Sequence, residues 1–333
     1  MHKRTRYSLL LMLALMAALI VALVLRKAAP PEVARLLPES DAIVYANLKP
    51  LRAATHFDRS PIDRSPEYQQ FIDATGIVPE RDLDAAAFAL HRMDNPNGPN
   101  GPVGYSEVFE GRFDGERLLR YLTTIATAKE TYADHDIFTI RVGDAKAARP
   151  LRIAQLGYDT IAASNMPTVE QIHSILDRHR AAASPFSGSS LLSARYRDVP
   201  AFSSAWAIGH IGLPFSDRGY ISIFGLQLPL SEDTTFVASL RYLGTLRLRI
   251  EQFTPNDADA AHATETLTSL LSLMKSVQHT QAQMQPHPAT DAAFRELTDS
   301  TKIEQHKDRA VLTADIPLAL VKELATPATS PQP

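Results

Sequence analysis

The segment SLLLMLALMAALIVALVL, residues 8–25, constrains this chain more than any other. It carries no charge, and apart from Ser8 every side chain is Leu, Met, Ala, Ile or Val. As a helix rising about 1.5 Å per residue it is roughly 27 Å long, close to the hydrocarbon thickness of about 30 Å. Tyr7 stands before it as an interfacial aromatic. A cleaved signal peptide has an apolar stretch of only about 7–15 residues followed by a small-x-small site. Here Arg26 and Lys27 follow the run directly. The nearest small pair, Ala28 and Ala29, has Lys27 before it and Pro30 after it. The sequence therefore favours an uncleaved signal anchor over a cleaved peptide. A buried core helix is disfavoured, because soluble helices carry a polar face. Lys3, Arg4 and Arg6 outnumber Arg26 and Lys27, which predicts a cytoplasmic N-terminus and a periplasmic body in a bacterial inner membrane.

Charge sharpens this picture. The net charge of −3 includes five Lys/Arg and no acid in the first thirty residues. The remainder carries 29 basic against 37 acidic residues, a balance of −8. Such an ectodomain lacks the basic footprint of a nucleic-acid binder. Cysteine is absent from the 333 residues. That excludes disulfides, thiol nucleophiles, cysteine-ligated metals and a lipoprotein-type acyl anchor, and leaves core packing to hold the body together.

The predicted organisation is a cytoplasmic stub (1–7), the anchor (8–25), a linker (26–37) marked by Pro30 and Pro31, one α+β lobe (38–199), a second (200–324) and a disordered tail (325–333). In the first lobe a strand is predicted near 42–48. A helix follows Ser65, with Ser65 as N-cap, Pro66 in its first turn and Gly76 as its stop. Strands are expected at 84–90 and 103–113 around the turn-rich HRMDNPNGPNGPV. Asp114 caps a helix whose Leu118, Leu119, Leu122 and Ile125 recur at helical spacing. Further strands DIFTIRV, LRIAQLG and DTIAASN precede a helix carrying Val169, Ile172, Ile175 and Leu176. In the second lobe AFSSAWAIGHIG, TTFVASLRYL and GTLRLRIEQF read as strands. A long helix capped by Asn256 or Asp257, a loop at 278–290, a short helix, a hairpin and the helix PLALVKEL complete it.

The order strand, strand, helix, strand, strand, helix occurs twice. AASNMPTVEQI (162–172) parallels LTADIPLALVK (312–322), and EVFEGRFDGERLLRYL parallels RIEQFTPNDADAAHATETL. The fold class expected is α+β: an N-terminal transmembrane helix followed by two related, mainly antiparallel sheet-and-helix lobes.

Chemistry is sparse. Phosphate-loop, dinucleotide, HExxH and GxSxG patterns are all missing. His173 and Asp177 share a helix face at i, i+4, whereas His179 is turned about 240° away; a solvated helix explains them better than a metal. Asp134, His135 and Asp136 read as a polar turn. Asp257, Asp259 and His262 read as a helix start where carboxylates suit the dipole. The serines between 184 and 193, with Gly188 and a base such as His210, are the place to look for a nucleophile, but helix capping is the simpler reading. Trp206, near Tyr196 and Phe202, reads as core.

With LLPESDAIVYANLKPLR directly after the anchor, and EVFEGRFDGERLLRYL and DTIAASNMPTVEQIHSIL beyond it, the chain resembles a loose group of uncharacterised bacterial envelope proteins. These begin with a signal sequence or anchor and carry repeated sheet-and-helix units. The resemblance implies no catalytic residue. The reading as a whole assigns no catalytic, cofactor-binding or metal-ligating residue and no cofactor. Its partners are the membrane, through the N-terminal helix, and an unidentified envelope protein or ligand, with no nucleic acid. The function expected is non-catalytic binding or scaffolding, with an envelope serine hydrolase using a serine in 184–193 as the alternative.

Overall fold

A computed structural model describes residues 16, 29–59, 64–98, 100–143, 148–181, 187–210, 220–223, 226–229, 234–242, 244–284, 288–317 and 320. The predicted anchor lies outside the described residues apart from Met16. So do the tail and most of the predicted closing helix at 317–324. Among the described residues no helix is long and apolar enough to cross a membrane.

The chain enters the body earlier than the predicted linker allows. Helix α1 (Glu32–Arg35) follows Pro31, and Val33, Ala34, Leu36 and Leu37 are at most 2 % exposed. The linker assignment for residues 32–37 is thus corrected: these four apolar side chains bury together in the main core. Strand β1 (Ala42–Asn47) runs directly into α2 (Leu48–Thr55), capped by the Asn47 side chain. Pro50 lies in the first turn of that helix, where a missing N–H costs nothing, and so does not stop the chain's regular structure. Helix α3 (Pro66–Thr75) has the expected ends. Ser65 Oγ accepts from the Tyr68 N–H at 3.3 Å, and Gly76 closes the helix at φ 73°. After the short α4 (Pro79–Asp82) come β2 (Leu83–Arg92) and β3 (Val103–Gly111), then α5 (Gly115–Ile125), capped by Asp114. Strands β4 (Ala128–Tyr132), β5 (His135–Val142), β6 (Arg149–Gln155) and β7 (Thr160–Ser164) form a meander that leads to α6 (Glu170–Arg180) and α7 (Ser190–Arg195).

The second part supplies β8 (Ala205–His210), a small hairpin of β9 (Tyr220–Ile223) and β10 (Leu226–Pro229), then β11 (Thr235–Tyr242) and β12 (Leu246–Phe253). Helix α8 (Asp257–Met284) extends through most of the segment expected as a loop. Helix α9 (Pro288–Ser300), β13 (Lys302–His306) and β14 (Arg309–Ile316) follow.

The α+β class holds, with a large antiparallel sheet. Twelve strands drawn from both predicted lobes, however, form one sheet, β13-β14-β12-β11-β8-β1-β2-β3-β7-β6-β5-β4, with β9 and β10 paired separately. The join is the antiparallel pair β1–β8, with Val44 opposite Ala207 and Tyr45 opposite Trp206. Gly209 makes that join close. A Cβ there would overlap Ala42 Cβ and come within 2.8 Å of Ala42 Cα. Outward from the join the two sides follow the same order of connections, β1-β2-β3-β7-β6 on one and β8-β11-β12-β14-β13 on the other. Strands β5 and β4 extend the first side.

The two faces of this sheet differ. One is sealed by α1, α6 and α7: Ile137, Ala154, Ala162, Val108 and Ala87 are fully buried, with Tyr45 and Trp206 stacked at a ring separation of 5.4 Å. On the other face α5 packs Leu118 and Leu122 onto Phe138, Ile153 and Ile161 at one flank. At the other flank Gln305 Nε2 donates to the Asp257 carbonyl at the start of α8. Between these flanks Val44, Phe88, Ala207 and Ala238 are half-buried, while Ala42, Ala86, Leu90 and Phe236 on the same face are buried.

Candidate functional site on the half-open face of the sheet

Antiparallel partners point to the same side of a sheet, so the strand registers define rows of neighbouring side chains. One row on the half-open face crosses all twelve strands of the large sheet: Lys129, Phe138, Ile153, Ala163, Glu107, Phe88, Val44, Ala207, Ala238, Ile250, Leu312 and Ile303. Between its two ends every residue is apolar except Glu107. Strand β3 places Tyr105 and Phe109 on the same face, two residues to either side of it. Across the β2–β3 pair, Phe88 meets Phe109 edge-on at 5.8 Å and 82°. Three aromatic residues thus share this part of the face with a single carboxyl group.

Glu107 forms no hydrogen bond or ion pair with any described residue, and burial alone pushes its carboxyl up to about 7. The nearest charge in its row is Lys129, four strands away. That ammonium pairs with Asp136 at 2.8 Å and lies over the Phe138 ring. A lone carboxyl on an apolar sheet face costs stability. The third strand out from the β1–β8 join on the other side contributes Ile250 to the same row. Sheet packing therefore accepts an apolar side chain at that depth, and the acid is a departure from what packing needs.

The floor of the face is shallow. Val44 and Ala46 of β1, Ala205 and Ala207 of β8, and Ala238 of β11 are all half-buried. Larger side chains rise on either side: Phe88, Tyr105 and Phe109 on one, Leu240, Leu248 and Ile250 on the other. Chemically this is a largely apolar face with small side chains at its middle and one acidic group among its aromatic residues.

The residues singled out from sequence lie elsewhere. His173 stacks on Tyr132 at 3.8 Å and its Nε2 meets Glu130 at 3.1 Å, while Asp177 accepts from the Tyr132 hydroxyl. His179 meets His135 edge-on. Helix α6 is thereby docked on β4. Asp134 sits at φ 64° in the β4–β5 turn, His135 Nδ1 contacts the Gln155 carbonyl, and Asp136 is tied to Lys129 and Thr131. At the start of α8, Asn256 accepts from the Asp259 N–H and so acts as the cap. Among the described residues no group of three or more His, Asp or Glu could hold a metal ion.

Within 184–193, Ser184 lies outside the described residues. Ser189 Oγ accepts from the Leu192 N–H, and Ser190 Oγ donates to Glu39 at 2.6 Å. Both therefore fix the start of α7, and among the described residues no hydrogen bond joins either to a histidine. His210 Nδ1 lies 3.5 Å from Thr235 Oγ1. Trp206 is core, stacked on Tyr45 and edge-on to Tyr196. One Ser–His contact does exist: His91 Nε2 lies 2.9 Å from Ser106 Oγ, which is 3.2 Å from Ser164 Oγ. Ser106 is wholly buried and His91 nearly so, and burial pushes the His91 imidazole down to about 4. This neutral cluster pins β2, β3 and β7 together and offers no open nucleophile.

No family model and no curated protein sequence matches the chain. Solved structures of TP0453 in crystal forms IV, III and I are similar to it at 8, 9 and 9 % identity, with TM-scores of 0.44, 0.46 and 0.45. They cover 89 to 90 % of this chain and 97 to 99 % of theirs.

Proposed function

We propose that this chain is a membrane-anchored binding protein of the bacterial envelope, which holds an apolar ligand on the half-open face of its sheet without catalysing a reaction on it. The observation that carries this reading is Glu107, an unpaired acid in an aromatic wall of a face that is otherwise apolar. In this reading residues 8–25 span the inner membrane, the N-terminus is cytoplasmic and the acidic body is periplasmic. The body consists of two related halves that share one sheet about the β1–β8 join. Twofold repetition of the strand order supports the relation, and the charge bias around the apolar run supports the orientation.

Two measurements test it. A C-terminal alkaline phosphatase fusion is expected to be active, and a well-expressed but inactive fusion refutes the periplasmic placement. For the face itself, Ala207→Cys puts a single thiol on the floor of a chain that has none. Phenylbutanol, a neutral apolar probe, is expected to slow maleimide labelling of that thiol several-fold. Unchanged labelling at saturating probe sinks the binding reading.

A further inference from the structure

The chemistry around Glu107 is specific enough to name a class of ligand. A divalent cation does not fit, because the single carboxyl group stands among apolar side chains that supply no further oxygen ligand and no partner for retained waters. A neutral hydrocarbon leaves the acid buried without a partner. An anionic amphiphile meets like charge. A guest with one positive charge satisfies both parts of the site. Its cationic head pairs with the carboxylate, and Tyr105, Phe109 and Phe88 place aromatic rings on the same face beside that charge. The hydrocarbon or aryl body then lies along Val44, Ala207 and Ala238, the small side chains of the floor.

We propose that the half-open face selects organic ammonium compounds with an apolar body, the ammonium seated against Glu107 between Tyr105, Phe109 and Phe88. This inference rests on the binding reading given above and adds the charge of the ligand to it. The groups facing Glu107 leave its charge to the guest. From β2 come Phe88, Ala86 and Leu90; from β7 come Ala163 and Ile161; from its own strand the titratable neighbour is Tyr105. Because burial holds the carboxyl protonated up to about neutral pH, ammonium capture strengthens as pH rises through that range.

The test uses the full chain in lipid nanodiscs, titrated calorimetrically with phenylbutylamine, phenylbutanol and phenylbutyrate, with empty discs subtracted. At about pH 8 the amine is expected to bind roughly tenfold or more tighter than the alcohol, the scale of one charge-assisted contact. That preference should disappear at about pH 5.5. Glu107→Gln should equalise amine and alcohol and abolish the pH dependence of the amine. Glu107→Ile, which installs the residue found at Ile250 in the same row, provides a second variant if the amide folds poorly. Equal binding of amine and alcohol by the wild-type chain overturns the ammonium assignment but leaves the apolar face intact as a binding site. Tighter binding of phenylbutyrate overturns it as well. Binding of none of the three removes the binding reading and this inference with it.

Discussion

Glu107 makes the stability of this fold fall with pH in a window that most proteins tolerate. The perturbation to test is Glu107→Gln. In the folded chain burial raises the carboxyl from 4.5 to about 7, whereas the unfolded chain keeps the ordinary value. Below about pH 4.5 both states are protonated and the acid contributes no difference. Between the two values the unfolded state is ionised and the folded state still holds its proton, so folding takes up one proton. Stability then falls by about 1.4 kcal/mol per pH unit. Above the folded value both states are ionised and the loss levels off at about 3 kcal/mol, an upper figure because the half-open face admits some water. The amide cannot ionise, so its stability stays flat over the same window. The assay is urea unfolding of wild type and variant in the same nonionic micelle, followed by fluorescence of Trp206. This is the sole tryptophan, and it is buried against Tyr45. The variant should match wild type at about pH 4 and exceed it by roughly 2–3 kcal/mol at about pH 8. A constant difference across that range, or a variant weaker than wild type at high pH, refutes the reasoning that Glu107 is an uncompensated buried acid.

Three further outcomes follow from the packing. Gly209→Ala should cost about 1–3 kcal/mol in the same unfolding assay, because the new Cβ drives into Ala42 at the join between the two sides of the sheet. Leu37→Ala should cost about 2–5 kcal/mol, since Leu37 is fully buried; a true linker residue would cost nearly nothing. Glu251→Ala should cost about 3 kcal/mol: its buried carboxylate accepts from Arg249 Nε at 2.7 Å and Arg309 Nη1 at 2.8 Å, and Arg309 also lies over the Phe253 ring.

Much of the local structure was legible because its signals are short-range. Ser65, Pro66 and Gly76 bracket α3 in the sequence just as they do in space, and Asp114 announces α5. The elements missed are those in which one residue type has two meanings. Pro50 looks like the end of a strand, yet it sits comfortably in the first turn of α2. Pro30 and Pro31 suggest a linker and obscure the apolar cluster Val33, Ala34, Leu36 and Leu37. Strand β4 is an edge strand with mostly exposed side chains, so its sequence lacks apolar alternation. The single sheet was beyond reach for a different reason. Its join pairs β1 with β8 across some 160 residues, and no local pattern reports a pairing at that separation.

The candidate site shows where alternation misleads. In YSEVF, residues 105–109, a reader who pairs Ser106 with Val108 as the inward set assigns Tyr105, Glu107 and Phe109 to solvent, and a solvent-facing glutamate attracts no notice. Yet two large aromatics share that parity, and Phe88 joins them from β2. Three rings on one side of a hairpin signal a face that is at least half-buried, and an acid among them carries a desolvation cost from the outset. What the hairpin alone cannot supply is the extent of that face. Only the full register shows the apolar row running from Phe138 to Ile303 with Glu107 as its single ionisable member, and with Ile250 at the matching strand on the other side of the join. The acid stands out because the rest of the row shows what packing alone selects there.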